Sequence, residues 1–417
     1  MEKNKYIDIF QDDGDFKWIT GVEDTFVGQS KMGKRKLDEY ELTQHYIFWQ
    51  QDLDLVKETG FEMLRYGIPW YKVNPAPGEF DWSWTDKVLD YMTKKDIEPI
   101  IDLMHYGTPF WLENQFLNED YPKYVAEYAA EFAARYDNIK YYTPLNEPFI
   151  NAEYCGKRAF WPPYLEGDSG FVKLTNQIAK GIILTVNRIR EVNPDSVMVH
   201  VDAMEKFFVD PDNYSKKAEE YVNWQNEIRF VNYDLISGRV NGDSKIYKFL
   251  AEHGFKDTDF DYFLNNRIDI DLMGLNYYPL VSVQKVGDIN GEIESKQVWG
   301  GTERYKELIK DYYSRYQLPI MLTETSVDNG IENKIKWLDD SVTMIKELRA
   351  EDVPVLAYTW WPIIDMVHWD YMEAFDDVEN YLLRNGIWKL EMQFDRTLKR
   401  EHTPLVEHFK KVINKGI

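Results

Sequence analysis

The sequence predicts a (β/α)8 barrel, and three observations carry the prediction. Its 417 residues are long for a sandwich or a helical bundle but suit one barrel with extended loops. Eight short, nearly continuous apolar runs occur along the chain, as strands buried on both faces of a parallel sheet require. Amphipathic stretches with helical spacing lie between several of them. Periodicity alone does not separate a closed barrel from a doubly wound sheet, so the polar residues at the ends of the runs must decide.

The runs cover 16–22, 61–68, 98–105, 139–147, 197–204, 269–277, 319–324 and 354–361. Between the first two, WQQDLDLVKET (49–59) places Leu53, Leu55 and Val56 on one side and stops at Gly60, the residue type that favours a helix C-terminus. A second helix is expected over 124–136. The segment 210–263 is the longest between runs and is mostly helical in pattern. Residues 281–301 are polar and glycine-containing and are expected as a loop insertion on the face where the strands end. No repeat, low-complexity tract or Pro/Gly/Ser-rich linker divides the chain, so residues 1–417 are expected to form a single barrel domain.

Composition narrows the function. Apolar residues make up 44% and charged residues 29%, enough for a packed core, and the mean hydropathy of -0.53 argues against a membrane protein. A net charge of -23 repels a phosphate backbone, so nucleic acid is not an expected partner. The local basic stretch Lys31, Lys34, Arg35 and Lys36 reads as a solvated loop. Cys155 is the one cysteine, so no intrachain disulfide forms and a reducing cytoplasm fits. The opening residues MEKNKYIDIF lack the apolar run of a signal peptide, and no segment reaches membrane-spanning length.

In a (β/α)8 barrel the active site is built from residues at the C-terminal ends of strands. Glu147 ends the fourth run in TPLNEP, and Glu324 ends the seventh in LTETSVDNG. Strands facing each other across a closed barrel bring two such carboxyls together. Retaining hydrolysis of a glycoside needs that pair, one to attack the anomeric carbon and one to protonate the leaving oxygen. Like charges so close push the two titrations apart, so the pair is expected to hold one proton near neutrality. Either glutamate alone could be a solvated loop residue; their joint position argues otherwise.

Several motifs in order add a resemblance. FKWITGVED, HYIFWQQDLDLVKETGFEMLRYGIPW, DIEPIIDLMHYGTPFWL, NEP, GLNYY, TET and YTWWPIIDMVHW follow one another as they do in glycoside hydrolase family 1, the β-glucosidase family. The likeness runs nearly end to end. It implies that Glu147 is the acid/base and Glu324 the nucleophile, and that Asn146 binds the sugar 2-hydroxyl. It places Arg65 and Tyr278 beside Glu324, His105 on a sugar hydroxyl, and Trp361 beneath the sugar as a floor. Read without the resemblance, Arg65 is also compatible with a structural ion pair, and His105 with a core histidine or a metal ligand. Tyr277 and Tyr278, like Trp360 and Trp361, alternate across a strand, so one of each pair must face away.

The sequence departs from the family where the sugar is read. His368-Trp369 stands where the family has Glu-Trp, replacing an acceptor of two hydroxyl hydrogens by a group with one donor and one acceptor. The family's first-strand Gln is missing in register, with Glu23 or Asp24 the nearest substitute, and Tyr106 replaces the Trp that follows the third-strand His. No Ser with a downstream Lys-x-Tyr phosphate clamp follows the eighth strand, which disfavours a 6-phosphoglycoside. The expectation is a retaining β-glycosidase acting on a small carbohydrate, with His368, Trp369 and Glu23 in its sugar wall and neither cofactor nor metal. The alternatives are a retaining exo- or endo-glycanase of a neighbouring family, and a catalytically silent carbohydrate-binding relative. A metal-dependent hydrolase would need a histidine cluster, which residues 45, 105, 200, 253, 368, 402 and 408 do not form in sequence.

Overall fold

In the computed structural model, which describes residues 16–417, all eight runs become strands of one closed parallel barrel. They are β1 (Lys17–Gly21), β2 (Met63–Gly67), β3 (Glu98–Asp102), β4 (Tyr141–Thr143), β5 (Val197–Ala203), β6 (Leu272–Asn276), β7 (Ile320–Thr325) and β8 (Val355–Trp360). β1 closes the ring by pairing with β2 through Ile19 and Met63 and with β8 through Thr20 and Trp360. The doubly wound alternative is thereby excluded. The expectation placed on MEKNKYIDIF falls outside the described residues.

Alternation along the strands sorts the core into an inside and an outside. Ile19, Met63, Ile100, Tyr141, Val199, Leu272 and Met321 fill the barrel interior. Their neighbours Leu64, Ile101, Tyr142, Met198, Met273, Leu322 and Tyr358 face the surrounding helices. Counting two residues onward from the interior set reaches Gly21, Arg65, Asp102, Val201 and Thr323, the layer on which the site is built.

The helix before Gly60 is α1 (His45–Thr59), and Gly60 ends it at φ 102° with its N–H on the carbonyls of Val56 and Lys57. The helix expected over 124–136 is α2 (Tyr121–Arg135), and α3 (Gly167–Val192) packs along it. Residues 210–263 are mainly helical, as expected, including Lys216–Ile228 and Asp257–Asn265. The insertion 281–301 corrects the sequence reading. It holds a hairpin, Val283–Ile289 with Glu292–Gln297, turned at Asn290-Gly291, and Val283–Ile289 also pairs with Lys206–Val209. The basic stretch is likewise more than a solvated loop. Lys34 pairs with Glu373, Lys36 with Glu41, and Arg35 lies over the ring of Tyr371, which ties the loop after β1 to the loop after β8. Among the described residues, no helix is long and apolar enough to cross a membrane.

Candidate active site

Glu147 and Glu324 reach the mouth of the barrel by different local devices. Beyond Thr143 the chain leaves the β4 ladder, yet Asn146 N–H still donates to Met104 O at 3.0 Å and Glu147 N–H to Val201 O at 3.1 Å. These bonds hold both residues over β3 and β5. Glu147 itself is left-handed, φ 46°, a strained conformation at the start of the short helix Pro148–Ala152. On β7 the register shifts between Leu322 and Glu324, a bulge that lets Thr323 and Glu324 both serve the site.

Arg65 joins the two halves. It is wholly buried, donating through one terminal nitrogen to Glu324 Oε1 at 2.7 Å and Thr323 O at 3.1 Å. Through the other it donates to Asp102 Oδ2 at 2.8 Å and Asn146 Oδ1 at 3.0 Å. Burial opposes its charge, but the carboxylates of Glu324 and Asp102 outweigh that and raise its pKa. An arginine in an apolar strand has thus found two buried acids, and its guanidinium also lies 4.7 Å from the centre of the Trp361 ring.

Glu324 Oε2 accepts from the Tyr278 hydroxyl at 2.7 Å. Tyr277 points away and stacks on Tyr305, so the alternation is resolved as the resemblance implies. Glu147 has neutral donors only: Asn276 Nδ2 gives to its Oε1 at 2.8 Å, and the Tyr106 hydroxyl to its Oε2. Burial raises both carboxyls, Glu324 to about 7 against the pull of Arg65, and the charge of Glu147 is among the causes acting on Glu324. Such a pair titrates as a unit. Its contacts decide where a single proton sits: a guanidinium against Glu324 favours the ion there, which leaves the proton to Glu147.

The rest of the predicted set divides. His105 Nδ1 lies 2.8 Å from Asp24 Oδ1 and 3.4 Å from Asp102 Oδ2, and its Nε2 lies 2.9 Å from Asn146 Nδ2. Arg65 can only donate, so the Asn146 oxygen must face it and the amide must face His105 Nε2. His105 therefore accepts at Nε2 and carries its proton at Nδ1 in this arrangement. Burial is the largest influence on the ring and disfavours the imidazolium, and the Asn146 amide at Nε2 disfavours it further; Asp24 and Asp102 act in the opposite sense through Nδ1, and the neutral ring protonated at Nδ1 is the form this geometry fits. Trp361 Nε1 donates to Glu23 Oε2 at 2.7 Å, and its ring fills the space left by Gly21, where a Cβ would overlap it. Trp360 instead packs outward on Phe409. Trp369 borders Tyr106 and Trp161. His368 is the residue not brought in: its ring is half exposed and accepts from the Asp370 N–H at 3.2 Å.

Several side chains of the network were not singled out as site residues by the sequence reading. Asn276 and Asp102 stand on the inward face of their strands, two residues past Gly274 and Ile100, a spacing that could have identified them. Tyr106 was noted only as a departure. Glu39 had no local signal, because its Oε2 accepts from Val367 N–H, 328 residues away. Burial, and then the charge of Glu23, raise the Glu39 carboxyl well above its usual range. Asp24, Asp102 and His105 also place potential metal-binding atoms within 4.8 Å of one another, a cluster formed by folding and absent from the sequence spacing.

Two carboxyls at the ends of barrel strands, one on an arginine and one on neutral donors, define the site of a retaining glycoside hydrolase. The comparisons agree. The family model for glycosyl hydrolase family 1 matches residues 15–416, and the chain belongs to that family. It is 25% identical over 388 residues to the aryl-phospho-beta-D-glucosidase BglA of Bacillus subtilis (strain 168), covering 79% of this chain and 78% of that one. It is 22% identical over 378 residues to beta-glucosidase A of Thermotoga maritima, covering 82% and 81%. Among solved structures, the family 1 b-glucosidase from Thermotoga maritima superposes with a TM-score of 0.81 at 18% identity, over 96% of this chain and 98% of that chain. A beta-glucosidase from Thermotoga maritima in complex with deoxynojirimycin gives 0.80 at 18% identity, with the same coverage. The chain is accordingly a retaining β-glycosidase acting on O-glycosyl bonds of a small sugar substrate.

Proposed function

We propose that Glu324 is the nucleophile and Glu147 the acid/base of this glycosidase, within one barrel domain. The observation that carries this is the asymmetry of their partners: Arg65 and Tyr278 on Glu324, Tyr106 and Asn276 on Glu147. Glu324 attacks the anomeric carbon while Glu147 protonates the departing oxygen, giving a glycosyl-enzyme ester. Glu147 then takes a proton from water, which releases the sugar with its configuration kept. Trp361 offers the apolar floor for the ring, with Asn146, His105, Glu23 and Trp369 around it. His368 lies outside this wall.

The substrate we favour is a non-phosphorylated β-glycoside, because no Ser with a Lys-x-Tyr clamp follows β8. Retention of both carboxyls weighs against a silent carbohydrate-binding relative. The lone Cys155 supports action in a reducing cytoplasm, and the net charge of -23 supports a function apart from nucleic acid. The test is a panel of aryl glycosides varied at the 2-, 4- and 6-positions. Turnover of α- but not β-glycosides would overturn the anomeric assignment.

A further inference from the structure

Tyr106 touches the acid/base and its neighbour at once. Its hydroxyl donates to Glu147 Oε2 and accepts from Asn146 Nδ2 at 3.2 Å. The ring is 2% exposed and caged by Trp161 and Trp369, whose ring centres lie 4.8 and 5.7 Å away.

An asparagine side chain has two acceptor sites at oxygen and two amide hydrogens. Asn146 uses all four. Its oxygen faces Arg65 at 3.0 Å and Asn276 Nδ2 at 3.5 Å, and its amide gives one hydrogen to His105 Nε2 and one to Tyr106. With His105 Nε2 unprotonated, no hydrogen remains for a sugar hydroxyl. The Arg65 contact cannot be given up without unpairing a buried charge, and the His105 contact holds the imidazole in place. Tyr106 is the one partner that a substrate hydroxyl could replace, and its oxygen stands where a group bonded to both Asn146 and Glu147 would stand.

We propose that Tyr106 is a specificity-determining and positioning residue whose phenol fills the place of the sugar 2-hydroxyl, so that this glycosidase accepts β-glycosides lacking a hydroxyl at carbon 2. The proposal rests on the retaining β-glycosidase reading above. A 2-deoxy sugar leaves both Tyr106 hydrogen bonds intact, whereas a 2-hydroxy sugar must displace the phenol from Glu147 and Asn146 together. A protonated Oε2 keeps one lone pair for Tyr106 while it gives its proton to the leaving oxygen. The phenol then steadies the carboxylate that results. The other groups acting on Glu147 from the surrounding strands and loops are Arg65, His105, Glu324, Tyr154 and Tyr278.

The experiment compares 4-nitrophenyl β-glycosides with and without the 2-hydroxyl on the full chain and on Tyr106→Phe. Calorimetric titration with deoxynojirimycin, which carries that hydroxyl, and isofagomine, which lacks it, gives a second readout. The wild type is expected to use the 2-deoxy substrate at least as well as the 2-hydroxy one, after correction for spontaneous hydrolysis. Tyr106→Phe frees the Asn146 amide and should raise the 2-hydroxy to 2-deoxy ratio in kcat/KM about tenfold, the scale of one hydrogen bond in a site that excludes water. Deoxynojirimycin should tighten by a similar factor, with isofagomine unchanged. Loss of a donor to the Glu147 carboxylate should move the alkaline limb up by about one pH unit. Tyr106→Trp, which also lacks the hydroxyl, should change the ratio in the same direction, and thermal melts check that both variants fold. Turnover with ratio and affinities unmoved by either variant overturns the proposal alone. No turnover of any aryl β-glycoside and no binding of either iminosugar overturns the glycosidase reading and the proposal with it.

Discussion

Replacing Tyr278 by Phe removes a single atom from the site, and the consequence follows from where that atom points. The hydroxyl donates to Glu324 Oε2 at 2.7 Å, and burial pushes the Tyr278 pKa well up, so it remains a donor at all working pH. A hydrogen bond to a charged group is worth about 1.5–3 kcal/mol. At 1.36 kcal/mol per unit this is about one to two pKa units, and the lower end applies because Tyr278 is only partly buried and water can replace its hydroxyl. The bond favours the ionised carboxylate, so its loss raises the pKa of Glu324, already pushed up to about 7 by burial against Arg65. A nucleophile must be ionised, so the acid limb of kcat/KM moves to higher pH. On the acid side of the limb a one-unit shift costs up to about tenfold in activity, and the loss is regained as the pH rises above it. The assay is kcat/KM for an activated aryl β-glycoside from about pH 5 to 9. An acid limb that does not move, or a loss equal at every pH, would refute the assignment of Tyr278 as the partner that keeps Glu324 charged.

Glu324→Ala should abolish turnover of the same substrate while leaving the thermal melt near that of the wild type; retained activity would remove Glu324 as nucleophile. Glu147→Ala supplied with azide should yield the β-glycosyl azide, and an α-azide seen by NMR would rule out the retaining route. Gly21→Ala forces the Trp361 ring off β1, and displacement of the sugar floor should cut kcat/KM by about a hundredfold. Arg400→Leu leaves Asp52, which now receives Arg400 at 2.7 and 2.9 Å and His45 at 2.8 Å, as a buried acid with half its partners, and should cost about 3–5 kcal/mol in urea unfolding. Burial raises the Asp52 carboxyl, but the hydrogen bonds from His45 and Arg400 outweigh it and hold the group below the usual carboxylate range. The stability it contributes is present above the unfolded value of about 3.9 and lost as the pH falls through the lowered one, so the gap between wild type and variant should narrow in acid.

The barrel was legible because strands buried on both faces leave apolar runs that need no partner to be seen. Their ends were less so. The fourth run, read as 139–147, is a ladder only from Tyr141 to Thr143, since Asn146 and Glu147 are held by the carbonyls of Met104 and Val201. Those bonds depend on closure of the barrel and have no trace in local sequence. The hairpin in 281–301 did have one, Asn290-Gly291, a pair suited to a turn with φ positive at both positions, and it adopts φ 56° and 90°. Among the site residues, Arg65 and Tyr278 followed from the family register, whereas Asn276 and Asp102 were missed although alternation along their strands could have found them. Glu39 and the turning away of His368 arise from contacts between distant loops, which no single segment encodes.

These successes and failures fall on different parts of the fold for a physical reason. Glu324, Arg65, Asn276 and Asp102 belong to β7, β2, β6 and β3, where a change of side chain disturbs the packed interior on one side and the neighbouring strands on the other. Their partners are one another, so each holds the next in place: Arg65 alone bonds three of the elements that meet at the mouth. Glu23, Asp24, Tyr106, His368 and Trp369 lie in the loops after β1, β3 and β8, and their partners are largely other loops. Trp369, for example, packs on Tyr106 and Trp161 while its neighbour His368 points outward. On the proposed function, substitutions at Tyr106, Glu23 and Trp369 should change the choice of sugar while leaving the Arg65–Glu324 pair in place.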